Sequence, residues 1–182
     1  MSVSFRQVER DEEVEALAHM AYVIWNEYWP ELIGQEQTDY MVEKFQSLNA
    51  FRTDIADNGY EYWFIMEQDD ETPAELGQAS PTPRIVGYTG GHVESETNRF
   101  FISKIYLLKE HRGKGLCSAT IRFYEELCRD RGLGAMYLTV NKANEMGLRA
   151  YRGNGFEVID SVETDIGEGF VMDDYIMEKK LK

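Results

Sequence analysis

The sequence predicts an α/β fold in which about seven strands form one mixed sheet flanked by four helices. Three observations carry this. Strand-like segments rich in aromatic and β-branched residues alternate with segments of helical period. Their order is strand, two helices, three strands, then helix, strand, helix and two strands, which needs helices on both faces of a sheet. The 182 residues, 43% hydrophobic and 13% aromatic, suffice for one domain with one core and contain no internal repeat.

VSFRQV (3–8) alternates apolar and polar and opens the sheet. Asp11 is placed to cap the first helix, with Glu12 and Glu13 in its first turn. Val14, Leu17, Ala18, Ala21, Trp25 and Tyr28 follow at helical spacing until Pro30. Thr38 reads as the cap of a second helix with Met41, Phe45 and Leu48 inward, and the pattern dissolves over residues 50–59. EYWFIMEQ (61–68) is a strand. DDETPAELGQASPTP (69–83) is acidic, holds three of the four prolines and reads as a mobile excursion. RIVGYTGGHVES and NRFFISKIYLL are the next strands. From Gly115 the period turns helical: Leu116, Cys117, Thr120, Ile121, Phe123, Tyr124, Leu127 and Cys128 form a wide apolar face. AMYLTV (135–140) is a strand, Asn144 caps a short helix, and FEVIDSVE and FVMDDYIMEKKL close the chain.

Nineteen basic residues stand against 33 acidic ones, a net charge of −14. That surface repels nucleic acid and anionic membranes and attracts amines. No apolar run reaches the ~18 residues of a spanning helix, and the charged N-terminus lacks a secretory apolar block, so a cytoplasmic location is expected. Cys117 and Cys128 on one helix would lie roughly 16 Å apart, too far for a disulfide, which needs about 7 Å or less. His19, His92 and His111 show no metal-ligand spacing, and no metal is expected.

The stretch EHRGKGLCSA joins a strand to a helix through a basic, glycine-containing loop. A helix N-terminus offers free N–H groups and partial positive charge to an anion. Gly113 and Gly115 allow close backbone approach, and Arg112 and Lys114 add charge. The loop matches neither GxxxxGK[ST] nor GxGxxG. Taken alone it is either a phosphate seat or a plain turn. Downstream, VNKANEMGLRAYRGNGF places Tyr151 two helical turns after Asn144, on the same face.

Together these blocks resemble the GCN5-related N-acetyltransferase (GNAT) superfamily. Arg112-x-x-Gly115-x-Cys117 is similar to its R/Q-x-x-G-x-G/A pyrophosphate loop. Asn144, Tyr151 and Gly155-Phe156 are similar to its N-x-x-A-x-x-x-Y-x-x-x-G-F block. The resemblance implies a single N-acetyltransferase domain over residues 1–182, with a twisted, mostly antiparallel sheet. Residues 1–60 would face the acceptor and 100–156 would form the acetyl-CoA core. It implies direct acetyl transfer from acetyl-CoA to an amine, with Arg112, Gly113, Lys114, Gly115, Leu116 and Cys117 at the pyrophosphate. Ile105, Tyr106 and Leu107 would pair with the pantetheine arm, the Leu107 N–H would hold the oxyanion, and Asn144 would also bond pantetheine. Tyr151 would protonate the departing thiolate, to which a phenol is well matched.

Two positions depart from the pattern. Cys117 replaces Gly or Ala, and Gly147 replaces Ala, at a cost of up to ~1 kcal/mol to the short helix. No motif singles out the base: His92, Glu94, Glu96, Glu27 and Tyr28 are all candidates. Trp25, Tyr28, Trp29, Tyr40 and Phe45 gather with Glu27, Glu31, Glu36 and Asp39 in the N-terminal half, a mixture suited to a cation. That half and the closing strand look similar to bacterial spermidine/spermine-type acetyltransferases, implying a polyamine or other small cationic amine as acceptor. The oligomeric expectation is a monomer or homodimer. The competing reading is a catalytically silent CoA-binding sensor or regulatory module.

Overall fold

The computed structural model describes residues 2–68 and 83–181. Seven described strands form one sheet: β1 (Ser2–Gln7), β2 (Glu61–Gln68), β3 (Arg84–Glu94), β4 (Arg99–Leu107), β5 (Ala135–Asn141), β6 (Glu157–Gly167) and β7 (Phe170–Lys180). Their order across the sheet is β1-β2-β3-β4-β5-β7-β6. Every neighbouring pair is antiparallel except β4–β5, which is parallel. The excursion expected after Gln68 lies, up to residue 82, outside the described residues.

Among the described residues six α-helices accompany the strands, not four: α1 (Asp11–Tyr28), α2 (Pro30–Ile33), α3 (Gln35–Phe45), α4 (Leu48–Asp57), α5 (Leu116–Asp130) and α6 (Glu145–Gly153). The two additions have local causes. Pro30 does not simply end α1; it sits at the start of a new turn, where its missing N–H costs nothing. Residues 50–59 look polar, yet Ser47 caps a helix there, its hydroxyl accepting from Ala50 N at 3.2 Å. That helix needs only the narrow stripe of Leu48, Phe51 and Ile55 to pack. Leu48 therefore belongs to α4 and not to the preceding helix. Thr38 is no cap: it is buried within α3, and its hydroxyl donates to Gly34 O at 2.7 Å. Asp11 lies inside the first turn of α1 and pairs with Arg52 at 2.6 Å. Glu13 does the capping, accepting from Glu9 N and Arg10 N, and the Arg10 guanidinium, followed by those backbone bonds, holds its carboxyl down at about 2.

The sheet is covered on both sides. Ile121, Tyr124 and Cys128 of α5 pack on Phe100, Ile102, Met136, Leu138 and Met177. On the other face, Leu17 and Ile24 of α1 and Phe51 of α4 pack on Tyr62, Phe64 and Tyr88. This double burial explains why EYWFIMEQ is a continuous apolar run rather than an alternating one. No described helix is long and apolar enough to cross a membrane.

The feature that matters for function is a gap in the sheet. β4 and β5 pair only at Arg99–Phe101 with Ala135–Tyr137. Beyond Phe101 they part. A bulge bends β4 at the same place: Gly91 pairs with Ile102 and Gly90 with Lys104, leaving Ser103 as the extra residue. The glycines permit it. A Cβ on Gly91 would overlap Phe101 O and lie 2.7 Å from Phe100 Cε1, and one on Gly90 would overlap the Tyr62 ring.

Candidate active site in the gap between β4 and β5

A cleft of about 770 Å³ opens at this gap. Ten of the predicted residues line it: Ile105, Tyr106, Leu107, Arg112, Gly113, Gly115, Leu116, Cys117, Asn144 and Tyr151. Lys114 is exposed and does not. The loop runs from β4 through a 3-10 turn (Lys109–His111) into α5, whose N-cap is Gly115 with no side-chain cap. Gly113 and Gly115 adopt φ of 75° and 83°, with open space where a Cβ would stand. Glycine is required there by backbone conformation. His111 anchors the loop from behind, its Nδ1 lying 2.8 Å from a carboxylate oxygen of buried Glu67 on β2.

The splayed strand offers its backbone to the cleft. Leu108 N–H donates to Val86 O on the β3 side at 3.0 Å. Strand groups alternate in direction, so the Leu107 N–H and C=O turn the other way, into the gap. Arg112 does not reach outward from the loop; its Nε donates to Leu107 O at 2.9 Å and its guanidinium lies 4.8 Å from the Tyr28 ring centre. Tyr28 in turn donates to Asn144 Oδ1 at 2.8 Å, tying α1 to the start of α6 across the cleft. The same Asn144 oxygen accepts from Gly147 N at 2.9 Å, so the expected cap is present. Gly147 has a reason to be glycine: a Cβ there would sit 2.8 Å from Asn144 Nδ2. Gly147→Ala is expected to displace Asn144, weaken the tie to Tyr28 and raise the KM for acetyl-CoA several-fold, while the helix regains up to ~1 kcal/mol of propensity. Steady-state kinetics beside a melting curve check both parts.

Tyr151 lies on the cleft side of α6, packed against Phe156 with ring centres 5.9 Å apart. Burial, then the neighbouring Cys117, Tyr106 and Tyr28, push its phenol well above the ordinary 10. It stays protonated at working pH, the form a proton donor needs. Burial also pushes the Cys117 thiol up to about 11 from 9. At neutral pH that leaves about 100-fold less thiolate than an ordinary cysteine, so labelling of Cys117 by iodoacetamide is expected to be correspondingly slow.

The far arm of the cleft is aromatic. Trp25 stacks on Trp29 at 5.0 Å and meets Tyr106 edge-on at 5.5 Å. Of the candidate bases only Tyr28 lines the cleft. His92 packs between Tyr60 and Phe101, and Glu94 is engaged by Arg99, Thr97 and Tyr137. Sequence reasoning missed two buried charges. The first is Lys104, whose Nζ donates to Tyr62 Oη at 2.9 Å and Phe45 O at 3.1 Å and lies 3.4 Å from Asp54 Oδ2. It also sits over the rings of Phe51, Tyr60 and Tyr62. Burial outweighs Asp54 and lowers its ammonium to about 8 from 10.5. The unfolded chain therefore binds more protons across that window, and this residue makes stability rise with pH from about 8 to 10.5. Subtracting the urea-unfolding profile of Lys104→Met from that of wild type is expected to isolate that slope.

The second is Asp174 on β7. It is 5% exposed and lines the cleft beside Met172, and its Oδ1 is shut from solvent with no hydrogen-bond partner. Burial, with a smaller push from Asp173, raises its carboxyl to about 6 from 3.8, although Lys142 opposes. Alternation along FVMDDYIM was the available signal, since it puts Met172, Asp174 and Ile176 on one face.

Residues 19–156 match the family model described as the Acetyltransferase (GNAT) family. The chain is 31% identical over 72 residues to streptothricin acetyltransferase of Streptomyces lavendulae, a match covering 40% of this chain and 38% of that protein. Its fold is similar to that of the PaiA N-acetyltransferase from Thermoplasma acidophilum in complex with coenzyme A, with a TM-score of 0.73 and 21% identity over 99% of both chains. It is also similar to spermidine N-acetyltransferase from Vibrio cholerae in complex with CoA and spermine, with a TM-score of 0.64 and 17% identity over 98% of this chain and 95% of that one. With the family model spanning most of its length, the chain belongs to the GNAT family of acetyltransferases, whose co-substrate is acetyl-CoA.

Proposed function

We propose that the protein transfers the acetyl group of acetyl-CoA directly to a primary amine of a small cationic acceptor, such as a polyamine. The observation that carries this is the continuity of the cleft, in which loop 112–117, the free edge of β4 and the Tyr151 phenol share one space with the aromatic arm. In this reading the N–H groups at the start of α5 take the pyrophosphate. The cleft-facing edge of Ile105 to Leu107 pairs with pantetheine, and Asn144 keeps Nδ2 for an amide oxygen. Residues 1–60 shape the acceptor side and 100–156 the cofactor side.

The Leu107 N–H faces the place where the thioester oxygen gains charge, and Tyr151 supplies the proton for the sulfur. An acidic protein surface and the aromatic lining supplied by Trp25 and Trp29 suit a cationic acceptor. The names of similar proteins, one for spermidine and one for an antibiotic amine, support the same class. Two unbridged cysteines suit a cytoplasmic setting. The test is acetyl-CoA consumption with polyamines, monoamines, amino acids and an aminated antibiotic. Polyamines and other polycations should show the highest kcat/KM, and a clear preference for uncharged or anionic acceptors would contradict the substrate class.

A further inference from the structure

The amine arrives as an ammonium ion and must lose a proton before it can attack. We propose that Asp174 is the catalytic base that removes it, so that β7, the closing strand, completes a site otherwise built by β4 and α6. This inference rests on the acetyltransferase reading above.

Three observations converge on this carboxylate. It lines the cleft from the face that also carries Met172, on the aromatic side of the gap. It shares the cleft with Tyr106, whose phenol is pushed up by burial and then by the Asp174 charge. Tyr106 in turn lies close enough to Tyr151 to influence that phenol. Asp174, Tyr106 and Tyr151 all line this one cleft.

Asp174 is also distinguished by what it lacks. Of the other carboxylates that line the cleft, Asp54 is engaged by Lys104 and Tyr62, and Glu43 is exposed to solvent; neighbouring Asp173 is paired with Lys142. A buried carboxylate with one oxygen unpartnered is costly to keep charged, and an ammonium arriving at its cleft side offsets that cost. The charges that reach Asp174 are those of Asp173 on its own strand and Lys142 just after β5. Its strand partners are Asn141 on β5 and Val162 on β6.

The step balances. One ammonium proton passes to the Asp174 carboxylate, and the freed nitrogen lone pair forms a bond to the thioester carbon. The tetrahedral adduct collapses, the C–S bond breaks, and its electron pair leaves on sulfur, which takes the Tyr151 proton. A second N–H proton restores Tyr151, and Asp174 releases its proton to solvent. One amide, one CoA thiol and one proton result.

Asp174→Asn tests this, with two acceptors: an alkylammonium acceptor that wild type uses, and a weakly basic amine of similar shape that is already neutral at pH 7. For the ammonium acceptor, kcat/KM should fall about 100-fold in Asp174→Asn, and the wild-type fall in kcat/KM below about pH 6 should vanish. The neutral amine should lose less than about tenfold, because it needs no base to start. Thermal shift by CoA, unchanged in the variant, shows that fold and cofactor site persist. Retention of wild-type kcat/KM and pH profile would overturn the proposal, as would equal loss on both acceptors, which marks a positioning role. If wild type releases no thiol with any amine, the acetyltransferase reading itself fails. A defect confined to Asp174→Asn leaves that reading standing.

Discussion

Replacing Tyr151 by phenylalanine is expected to lower kcat by about 10³-fold while leaving the affinity for acetyl-CoA little changed. In the proposed mechanism this phenol is the acid, and its surroundings hold it protonated, since burial and three neighbouring groups all disfavour its anion. Phenylalanine keeps the ring packed on Phe156 and removes only the oxygen. The loss should therefore fall on turnover, within the ~10²–10⁴ that a positioned general acid supplies. Initial rates and a CoA titration on the same preparation separate the two quantities. An unchanged kcat would remove Tyr151 from the chemistry.

Gly91→Ala is expected to be the most damaging small substitution in the sheet. The added methyl would overlap Phe101 O and press on the buried Phe100 ring, and neither can move without disturbing β4. Overpacking a rigid core site costs up to about 3 kcal/mol. In a protein of this size that lowers Tm by about 6–12 °C. The same residue sits at the bulge that leaves Ser103 unmatched, so activity should fall in the surviving folded fraction as well. Gly113→Ala is the contrast: no atom stands near its Cβ position and only a positive φ resists the change, so stability should fall by about 1 kcal/mol. Calorimetry on both variants checks the order, and equal melting shifts would contradict it.

Much of this architecture was legible before the structure. EYWFIMEQ is the strand Glu61–Gln68 residue for residue, because an unbroken aromatic and β-branched run bounded by polar residues leaves little else. Asn144 is the expected helix cap, and the two motif blocks converge on one cleft. The losses came where local signals are thin. α4 hangs on three apolar residues and a serine cap, too little for a periodicity to register against Asn49, Arg52, Thr53 and Asp54. Thr38 carries cap chemistry but spends its hydroxyl on Gly34 O inside a helix. Asp174 was hidden by its neighbour. The pair Asp173-Asp174 sits inside the expected closing strand, where neither stands out, and the packing of β7 between β5 and β6 buries Asp174. Gly147 reads as a weakened helix, but a Cβ there would press on the Asn144 side chain, 2.8 Å from its Nδ2.

Burial of Asp174 has a thermodynamic consequence as well. Its folded-state value of about 6 lies above the ordinary 3.8, so the folded protein binds more protons between those values. Stability from this residue is present in acid and lost as pH rises through that window. At neutral pH, Asp174→Asn is expected to stabilise the fold by up to ~2 kcal/mol, with solvent at the cleft mouth screening part of the effect. The gain should vanish at pH 4. A base that weakens its own fold is the pattern expected where activity needs a strained charge.

The most direct test of the central claim is thiol release from acetyl-CoA by the wild-type protein, measured with and without a panel of small amines. Slow release alone is expected, with a marked, saturable acceleration by at least one cationic amine whose product carries the acetyl group on nitrogen. Stabilisation by acetyl-CoA with no amine-dependent release would contradict that claim and leave a CoA-binding sensor in its place.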